Sequence, residues 1–339
     1  MRGMRRRGRL VVFGAMAMVS LLAGVGPAPA ATYSPVDTPG PPLSVDPAKL
    51  AQALACTTNL AGATRAPVLL VPGTTVSPSE HFSWNYMRAF DEMGWPYCGV
   101  TLPENTMGDM QIAGEYVVYA IRTMYQVAGR RISLLGGSQG GSLPRWGLRF
   151  WPDTRAMVED HIGLAPTNHG GKGVASLCVP NCAPAVWQQI WRSNFVVAMN
   201  SGQQTFPGIS YTEVYSHHDR LVTPADDDTG ASSLHGGGGR ITNVALQDVC
   251  PANTADHNQT ASYDPVGYAL AIDALTHDGP ADPARIDRSV CTEAFPPGVE
   301  PVTFPTAYAH GNLVIWYHLL TGDRVEREPG LRCYVTAGC

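Results

Sequence analysis

At residues 132–141 the chain reads Ile132-Ser133-Leu134-Leu135-Gly136-Gly137-Ser138-Gln139-Gly140-Gly141, an apolar run that leads into a Gly-x-Ser-x-Gly motif. In a nucleophile elbow, the turn from strand to helix is so tight that the residues two before and two after the nucleophile carry almost no side chain. Gly136 and Gly140 satisfy this requirement. A glycine-rich loop is the alternative, since the chain has 36 glycines, but the flanking apolar residues suit a buried strand and a packed helix. The motif therefore predicts an exposed, nucleophilic Ser138 hydroxyl.

Short apolar segments alternate with helix-like segments along the chain. The predicted strands are residues 67–71, 97–102, 132–135, 161–164, 211–215 and 241–246, and the predicted helices are residues 109–128, the segment after Ser138, and residues 186–199. Such alternation predicts an α/β fold with a mostly parallel central sheet and helices on both faces. Because sites in these folds lie at the carboxyl ends of the strands, we expect the segments that follow four of the strands to converge on one edge.

The first 30 residues have the pattern of a secretory signal peptide. Five arginines precede an apolar segment at residues 10–25, and Ala28-Pro29-Ala30 offers a cleavage site, so we predict removal after Ala30 and secretion. An uncleaved membrane anchor is the alternative, but the apolar segment is shorter than the ~20 residues that a spanning helix needs. Residues 31–48, rich in Pro and Ser, are expected to form an extended arm. Residues 49–339 are expected to form a single domain, because no repeat or linker divides them.

Charge and cysteine content bear on the partners of the chain. The formal net charge is −5, and loss of the five N-terminal arginines lowers it to −10, which argues against nucleic acid as a partner. Eight cysteines in an exported chain indicate disulfides rather than metal ligands. The sequence does not fix their pairing; the candidate pairs are Cys56 with Cys98, Cys178 with Cys182, Cys250 with Cys291, and Cys333 with Cys339. Zinc at the Cys-x-x-x-Cys motif is the alternative, but no second ligand pair has suitable spacing, so no metal is expected.

A serine hydroxyl becomes a useful nucleophile only when a base takes its proton and an acid orients that base. In chains with an elbow of this kind the order is Ser, acid, His. The best acid after Ser138 is Asp219, just past the strand predicted at residues 211–215, with residues 226–228 (Asp-Asp-Asp) as rivals. The best base is His257, in a short loop after the last predicted strand, with His277 as the weaker candidate.

With these residues in place, the chain resembles the secreted lipase B family of α/β-hydrolases over roughly residues 50–292. The motifs that carry the resemblance are Leu70-Val71-Pro72-Gly73-Thr74, Glu115-Tyr116, Ser138-Gln139-Gly140-Gly141, Trp146-Gly147-Leu148, Ala165-Pro166 and Val186-Trp187-Gln188-Gln189. The resemblance implies an α/β-hydrolase fold and hydrolysis of carboxylic esters without a cofactor. It also implies Ser138 as nucleophile, Asp219 as acid and His257 as base, with an oxyanion hole formed by the Thr74 amide and hydroxyl and the Gln139 amide.

The chain also departs from that family at several positions. Gly137 stands where the family often has Trp, and Thr167 where it has Asp, so we expect both as substrate-binding positions beside the site, with Gly137 leaving the alcohol pocket open. Residues 293–339 show no clear match to the family. The apolar residues within 303–320 could cover an acyl channel or pack as core, and the sequence leaves both open. A disulfide between Cys178 and Cys182 would make a rigid flap of about residues 170–185.

Together, the residues and the resemblance predict a secreted serine ester hydrolase that acts on lipid or other hydrophobic esters through an acyl-enzyme. We expect a monomer with no cofactor, no nucleic-acid partner and no membrane-spanning segment after signal removal. A lipid–water interface is a candidate place of action, and the sequence leaves interfacial activation open. Two alternatives remain open at this stage. One is an acyltransferase with the same triad, and the other is a catalytically silent binding protein on a hydrolase scaffold.

Overall fold

The computed structural model describes residues 32–338, so the predicted signal peptide lies outside the described residues. Seven strands form one sheet: β1 Leu54–Cys56, β2 Val68–Val71, β3 Tyr97–Val100, β4 Ile132–Gly137, β5 Val158–Leu164, β6 Ser210–Tyr215 and β7 Arg240–Ala245. The α-helices are α1 Pro47–Gln52, α2 Pro78–Phe82, α3 Tyr86–Glu92, α4 Met110–Ala128, α5 Gln139–Phe150, α6 Pro184–Gln188, α7 Asn194–Met199, α8 Leu246–Val249, α9 His257–Ser262, α10 Pro265–Thr276 and α11 Phe304–Thr321.

The strand order is β1-β3-β2-β4-β5-β6-β7, and every neighbouring pair is parallel except β1 with β3. Strands β2 and β4 are buried along their whole lengths. This is the burial expected of central parallel strands covered on both faces, and it explains why they are apolar without alternation. Two buried apolar clusters cover the faces, one around α4 and α5 and the other around α3 and α10. The predicted fold class, a mostly parallel α/β sheet, is confirmed.

The six predicted strands are all present, but the sequence did not reveal β1. This three-residue strand runs antiparallel to β3 at the edge of the sheet, and Cys56 lies opposite Cys98 in the register. A disulfide joins these two residues. Leu54 is half-buried and the other two residues of β1 are exposed, and three residues are too few for the apolar run or the alternation by which strands are recognised.

The prediction of one helix over residues 186–199 is wrong, because the structure has two short helices there, α6 and α7. Between them the backbone turns away to pair with Gly171: the Gly171 N–H donates to the Gln189 carbonyl at 2.9 Å, and the Trp191 N–H donates to the Gly171 carbonyl at 3.2 Å. Arg192 then adopts a left-handed φ of 61°. Ser193 caps the second helix, since its hydroxyl accepts a hydrogen bond from the Val196 N–H. The apolar period continues through the break, which is why the pattern favoured a single helix.

The N-terminal arm is fixed to the domain by specific hydrogen bonds. The buried Glu115 carboxylate on α4 accepts from the Ser44 hydroxyl at 2.6 Å and from the Val45 N–H at 3.1 Å. The Trp151 indole donates to the Pro41 carbonyl at 2.8 Å. Tyr33 forms an isolated antiparallel bridge with Thr336, near the other end of the described chain. Among residues 32–338, no helix has the length and apolarity to cross a bilayer.

Candidate active site

Ser138 lies at the turn between β4 and α5 in a strained backbone conformation, with φ of 54° and ψ of −122°. A non-glycine residue rarely adopts a positive φ, and such strain typically persists where the surrounding structure enforces it. The surroundings here are tight, because a Cβ on Gly136 would overlap the Gly140 carbonyl and a Cβ on Gly140 would overlap the Val71 carbonyl. The segment therefore has the geometry of the predicted nucleophile elbow.

The structure brings the three predicted triad residues together. The Ser138 Oγ lies 2.9 Å from the Nε2 of His257, and the Nδ1 of His257 lies 2.7 Å from the Oδ2 of Asp219. The second carboxylate oxygen of Asp219 accepts hydrogen bonds from the backbone N–H groups of Leu221 and Val222, at 2.7 and 2.8 Å. These two bonds hold the carboxylate toward His257. The arrangement matches a nucleophile, a base and an orienting acid in hydrogen-bond series.

The alternative candidates for the acid and the base make other contacts. The Asp227 carboxylate is exposed and accepts hydrogen bonds from Thr229, two residues along the same loop. His277 follows α10, where its Nδ1 lies 3.1 Å from the Oδ1 of Asp273. His257 instead begins α9, and Asp256 caps that helix by accepting from the Gln259 N–H.

Burial and charge act in opposite directions on the triad. Burial disfavours the charged imidazolium of His257, but the charge of Asp219 and its hydrogen bond outweigh burial and raise the pKa of His257 above its usual value. Burial likewise favours a neutral Asp219, but the charge and hydrogen bond of His257 and the two backbone N–H groups hold the pKa of Asp219 below its usual value. A carboxylate paired with a readily protonated imidazole can stabilise the ion pair formed when the serine proton moves.

Two backbone N–H groups are placed beside Ser138. Thr74 follows β2, and Gln139 is the first residue of α5, where helix N–H groups lack partners within the helix. Among residues 32–338, neither the Thr74 nor the Gln139 backbone N–H donates a hydrogen bond. The Thr74 hydroxyl, by contrast, donates to the Gln139 side-chain oxygen at 2.8 Å. Both amides thus remain available for a bound oxygen, whereas the hydroxyl is already engaged in this state.

Gln189 is a site residue to which the sequence reasoning gave no role. It is buried at the end of α6, and its Nε2 donates at 3.0 Å both to the Thr74 hydroxyl and to the Gln139 side-chain oxygen. It therefore joins the two residues expected to form the oxyanion hole. Its neighbour Gln188 accepts from the Met110 N–H at 2.7 Å and so anchors the start of α4. The paired glutamines were visible in the sequence as part of a family motif, but nothing local indicated these distant partners.

The expectation that Gly137 lines an open alcohol pocket is wrong. The direction in which a Cβ would project from Gly137 is filled by the His81 ring, whose Cε1 would lie only 2.7 Å away, and by the Ala261 carbonyl. Gly137 is buried and does not line the cleft. A larger residue there would displace His81 or α9 rather than fill empty space. Thr167, in contrast, does line the cleft, and its hydroxyl lies 2.8 Å from that of Ser142.

An apolar cleft of about 150 Å³ leads to Ser138 and His257. Its apolar walls come from several segments: the loop after β2, the turn between α2 and α3, the segment around the Cys178–Cys182 disulfide with α6, the loop after β6, α9 and α11. The apolar lining residues are Val76, Trp84, Val174, Leu177, Val186, Leu221, Ala261, Tyr308, Ile315 and Leu319. The open question about residues 303–320 is thereby answered, because this segment forms a helix without a fully buried residue and lays one side over the cleft.

Helix α11 is attached at both of its ends. Near its start, Phe304 and Tyr308 pack against Tyr263, with ring centroids 4.9 and 5.6 Å apart. Near its end, the Asn105 amide lies within hydrogen-bond distance of the His318 ring. The cover over the cleft is therefore a packed part of the domain.

Three of the four candidate cysteine pairs are bonded, namely Cys56–Cys98, Cys178–Cys182 and Cys250–Cys291. Cys339 lies outside the described residues, so its pairing with Cys333 stays a prediction. The rigidity of the flap around Cys178 also stays a prediction, although Val174 and Leu177 of this segment line the cleft. In the described part of the chain, no group of three or more His, Cys, Asp or Glu side chains is arranged to hold a metal ion.

Comparisons with known proteins agree with this geometry. The chain is similar to the crystal structure of Aspergillus fumigatus lipase B, with 28% sequence identity and a TM-score of 0.80. The alignment covers 92% of this chain and 76% of that one. The chain has the α/β-hydrolase fold. This α/β-hydrolase is also 31% identical to lipase B of Pseudozyma antarctica over 194 residues, which are 56% of each chain. The match thus spans about half the length of that relative. The resemblance indicated by the sequence motifs is confirmed, whereas no protein-family model matches the chain.

Proposed function

We propose that this α/β-hydrolase is a secreted serine ester hydrolase that cleaves lipid or other hydrophobic esters through an acyl-enzyme. The observation that carries the proposal is the hydrogen-bonded series from Ser138 through His257 to Asp219, which stands at a strained elbow beside two backbone N–H groups and opens into an apolar cleft. A serine nucleophile, a base, an acid that orients the base and donors for the oxyanion are the parts that serine ester hydrolysis uses. The similarity to two proteins named lipase B supports the same class of reaction.

In the proposed mechanism, the Ser138 Oγ attacks the ester carbonyl carbon while His257 Nε2 takes the hydroxyl proton. The carbonyl oxygen becomes an oxyanion, which the N–H groups of Thr74 and Gln139 stabilise. Collapse of this intermediate breaks the bond to the alcohol oxygen, and the His257 imidazolium gives its proton to the departing alcohol. Water then attacks the acyl-enzyme with His257 again as base, which releases the carboxylic acid and restores Ser138. Asp219 keeps its negative charge and stabilises the imidazolium in both halves of the cycle.

The size and the apolar lining of the cleft indicate a hydrophobic acyl or alcohol group of limited size. Its volume of about 150 Å³ is below the ~300–1,000 Å³ of pockets that enclose drug-sized ligands. One short chain therefore fits below α11, and longer chains would have to displace this helix or extend past it. We infer a preference for esters of short or medium chain length.

The outer side of α11 supports action at a lipid–water interface. Residues 304–321 contain no Lys, Arg, Asp or Glu, and several large apolar side chains project outward: Leu313, Trp316, Tyr317 and Leu320 are 57–71% exposed. Contiguous exposed apolar side chains mark surfaces that bind other proteins, membranes or apolar ligands. Because the inner side of the same helix lines the cleft, an interface at this surface would deliver esters close to Ser138.

Secretion is supported by two features. The N-terminal segment has the charge and apolar pattern of a signal peptide, and the three disulfides are of a kind that persists in oxidising compartments rather than in the cytosol.

A labelling and turnover experiment tests the proposed function. The purified protein is expected to hydrolyse p-nitrophenyl butyrate and to be inactivated by a phosphonate ester that adds one adduct, located on Ser138 by peptide mass spectrometry. Absence of both turnover and adduct would favour the silent binding protein and contradict the proposal. Turnover in water mixed with a primary alcohol separates hydrolase from acyltransferase, since a transferase forms the new ester in preference to the free acid.

Ile315→Ala is expected to change the chain-length preference, because it removes part of the α11 wall. One methylene-sized mismatch in a pocket is worth roughly 1–3 kcal/mol, so kcat/KM for p-nitrophenyl octanoate relative to butyrate should rise about tenfold. His310→Ala, at an exposed position of the same helix, is the control and should leave the ratio unchanged. Equal ratios in wild type and Ile315→Ala would show that α11 does not limit the acyl chain.

A further inference from the structure

His81 is a buried histidine that the mechanism above does not use. It lies in α2, and its ring stacks on Phe82 with centroids 4.0 Å apart and planes 11° from parallel. The ring occupies the space beside Gly137, where a side chain on residue 137 would collide with it. The missing side chain at Gly137 thus makes room for this ring.

Two backbone groups fix the hydrogen bonding of the ring. The Gly73 N–H donates to Nδ1 at 3.0 Å, and Nε2 lies 3.1 Å from the Ala261 carbonyl oxygen. A backbone N–H can only donate and a carbonyl can only accept, so Nδ1 must carry a lone pair and Nε2 must carry the proton. His81 is therefore a neutral imidazole of defined tautomer.

The charge state agrees with this assignment. Burial, together with the neighbouring His257, lowers the pKa of His81 to about 4, although the bond to Ala261 opposes the shift. Protonation would place an N–H against the Gly73 N–H, which is a pair of donors without an acceptor. The ring thus remains a hydrogen-bond acceptor for Gly73 at neutral pH.

The two hydrogen-bond partners of His81 lie in the two segments that carry the candidate oxyanion donor and the candidate base. Gly73 directly precedes Thr74, and a Cβ on Gly73 would lie 3.5 Å from the Ser138 Cβ. Ala261 lies in α9, which begins at His257, so about one helical turn separates the two residues. The loop of one oxyanion donor and the helix of the base are thereby joined through one rigid aromatic ring.

We propose that His81 is a positioning residue that sets the distance between the Thr74 N–H and the His257 imidazole through its bonds to Gly73 and Ala261. The inference rests on the proposed ester hydrolysis. An oxyanion donor acts only when it lies about 2.7–3.1 Å from the developing charge, so a shift of the Gly73–Thr74 backbone by a fraction of an ångström weakens the transition state more than the ground state. A side chain that merely fills the core would affect folding stability without this selectivity.

Three substitutions separate the two hydrogen bonds. His81→Asn places an amide oxygen near the position of Nδ1 and can still accept from the Gly73 N–H. His81→Gln places an amide nitrogen near the position of Nε2 and can still donate to Ala261. His81→Phe keeps an aromatic ring against Phe82 but makes neither bond.

The experiment measures kcat and KM on p-nitrophenyl butyrate, the rate of inactivation by a phosphonate ester, and the thermal midpoint for each variant. Loss of an oxyanion donor lowers kcat by ~10²–10³-fold, and since His81→Phe displaces rather than removes one, we expect kcat and the inactivation rate to fall by about 10–100-fold with little change in KM. His81→Asn should recover most of this loss and His81→Gln less. His169→Asn, at a histidine that does not line the cleft, is the control and should keep the wild-type kcat.

The outcomes distinguish failure of this inference from failure of the proposed function. If the wild type hydrolyses the ester and His81→Phe retains its kcat, or if His81→Gln recovers more activity than His81→Asn, the positioning role is overturned while the hydrolase stands. If His81→Phe does not fold, the Asn and Gln variants still decide the matter by their order. Loss of thermal stability with unchanged kcat in both would assign His81 to the core.

Discussion

Ser138→Ala is expected to lower kcat for ester hydrolysis by about 10⁵–10⁶-fold, because the acyl-enzyme can no longer form. His257→Ala should cause a loss of similar size, because it removes the base that lies 2.9 Å from the Ser138 hydroxyl. Residues that act as one unit give losses that do not add. The double variant is therefore expected to be no more than a few-fold slower than either single variant, and initial rates on p-nitrophenyl butyrate measure all three.

Ser289→Ala is the matched control for this series, because Ser289 is exposed in the segment after α10 and should leave kcat unchanged. Losses that multiply in the double variant would contradict a single catalytic unit. Retention of more than about a hundredth of wild-type kcat in Ser138→Ala would exclude Ser138 as the nucleophile, since the remaining oxyanion hole alone supports far less.

Asp219→Asn is expected to lower kcat by about 10⁴-fold, because an amide in this place favours the wrong tautomer of the base. The pH dependence should change as well. His257 accepts the serine proton only when neutral, so the wild-type rate falls as the pH drops through the raised pKa of His257. Without the Asp219 charge, burial still lowers the pKa of the His257 imidazole, and of the two carboxylates that raise it only Asp256 remains. The acid limb of the residual activity should therefore move to lower pH.

Profiles of kcat/KM against pH in both proteins measure this shift, since they report the ionisations of the free enzyme. Asp227→Asn removes an exposed carboxylate of the neighbouring loop and should change neither the rate nor the limb. An acid limb at the same pH in wild type and Asp219→Asn would show that Asp219 does not set the pKa of His257.

Much of the fold could be predicted because its signals are local. The elbow at Ser138 needs glycines at two fixed offsets, and the buried strands around it are short apolar runs with turn residues after them. The chain order then limited the choice of Asp219 and His257 to a few residues. The structure places these three in hydrogen-bond series, and their catalytic roles stay predictions.

The errors have a common physical origin, which is contact between residues far apart in the chain. Nothing near Gly137 indicates that the ring of His81, 56 residues earlier, fills the space beside it. The break in the helix predicted at residues 186–199 depends on pairing with Gly171, and the role of Gln189 depends on two partners on other elements. Local propensity is overridden in each case by tertiary contacts.

The bridge between Tyr33 and Thr336 bears on how the molecule can be handled. Bridge partners in antiparallel chains have Cα atoms roughly 4.5–5.5 Å apart, so the two described ends of the chain emerge side by side. Neither residue lines the cleft. A linker of a few residues could therefore close the backbone into a ring, or both ends could be tethered to one support.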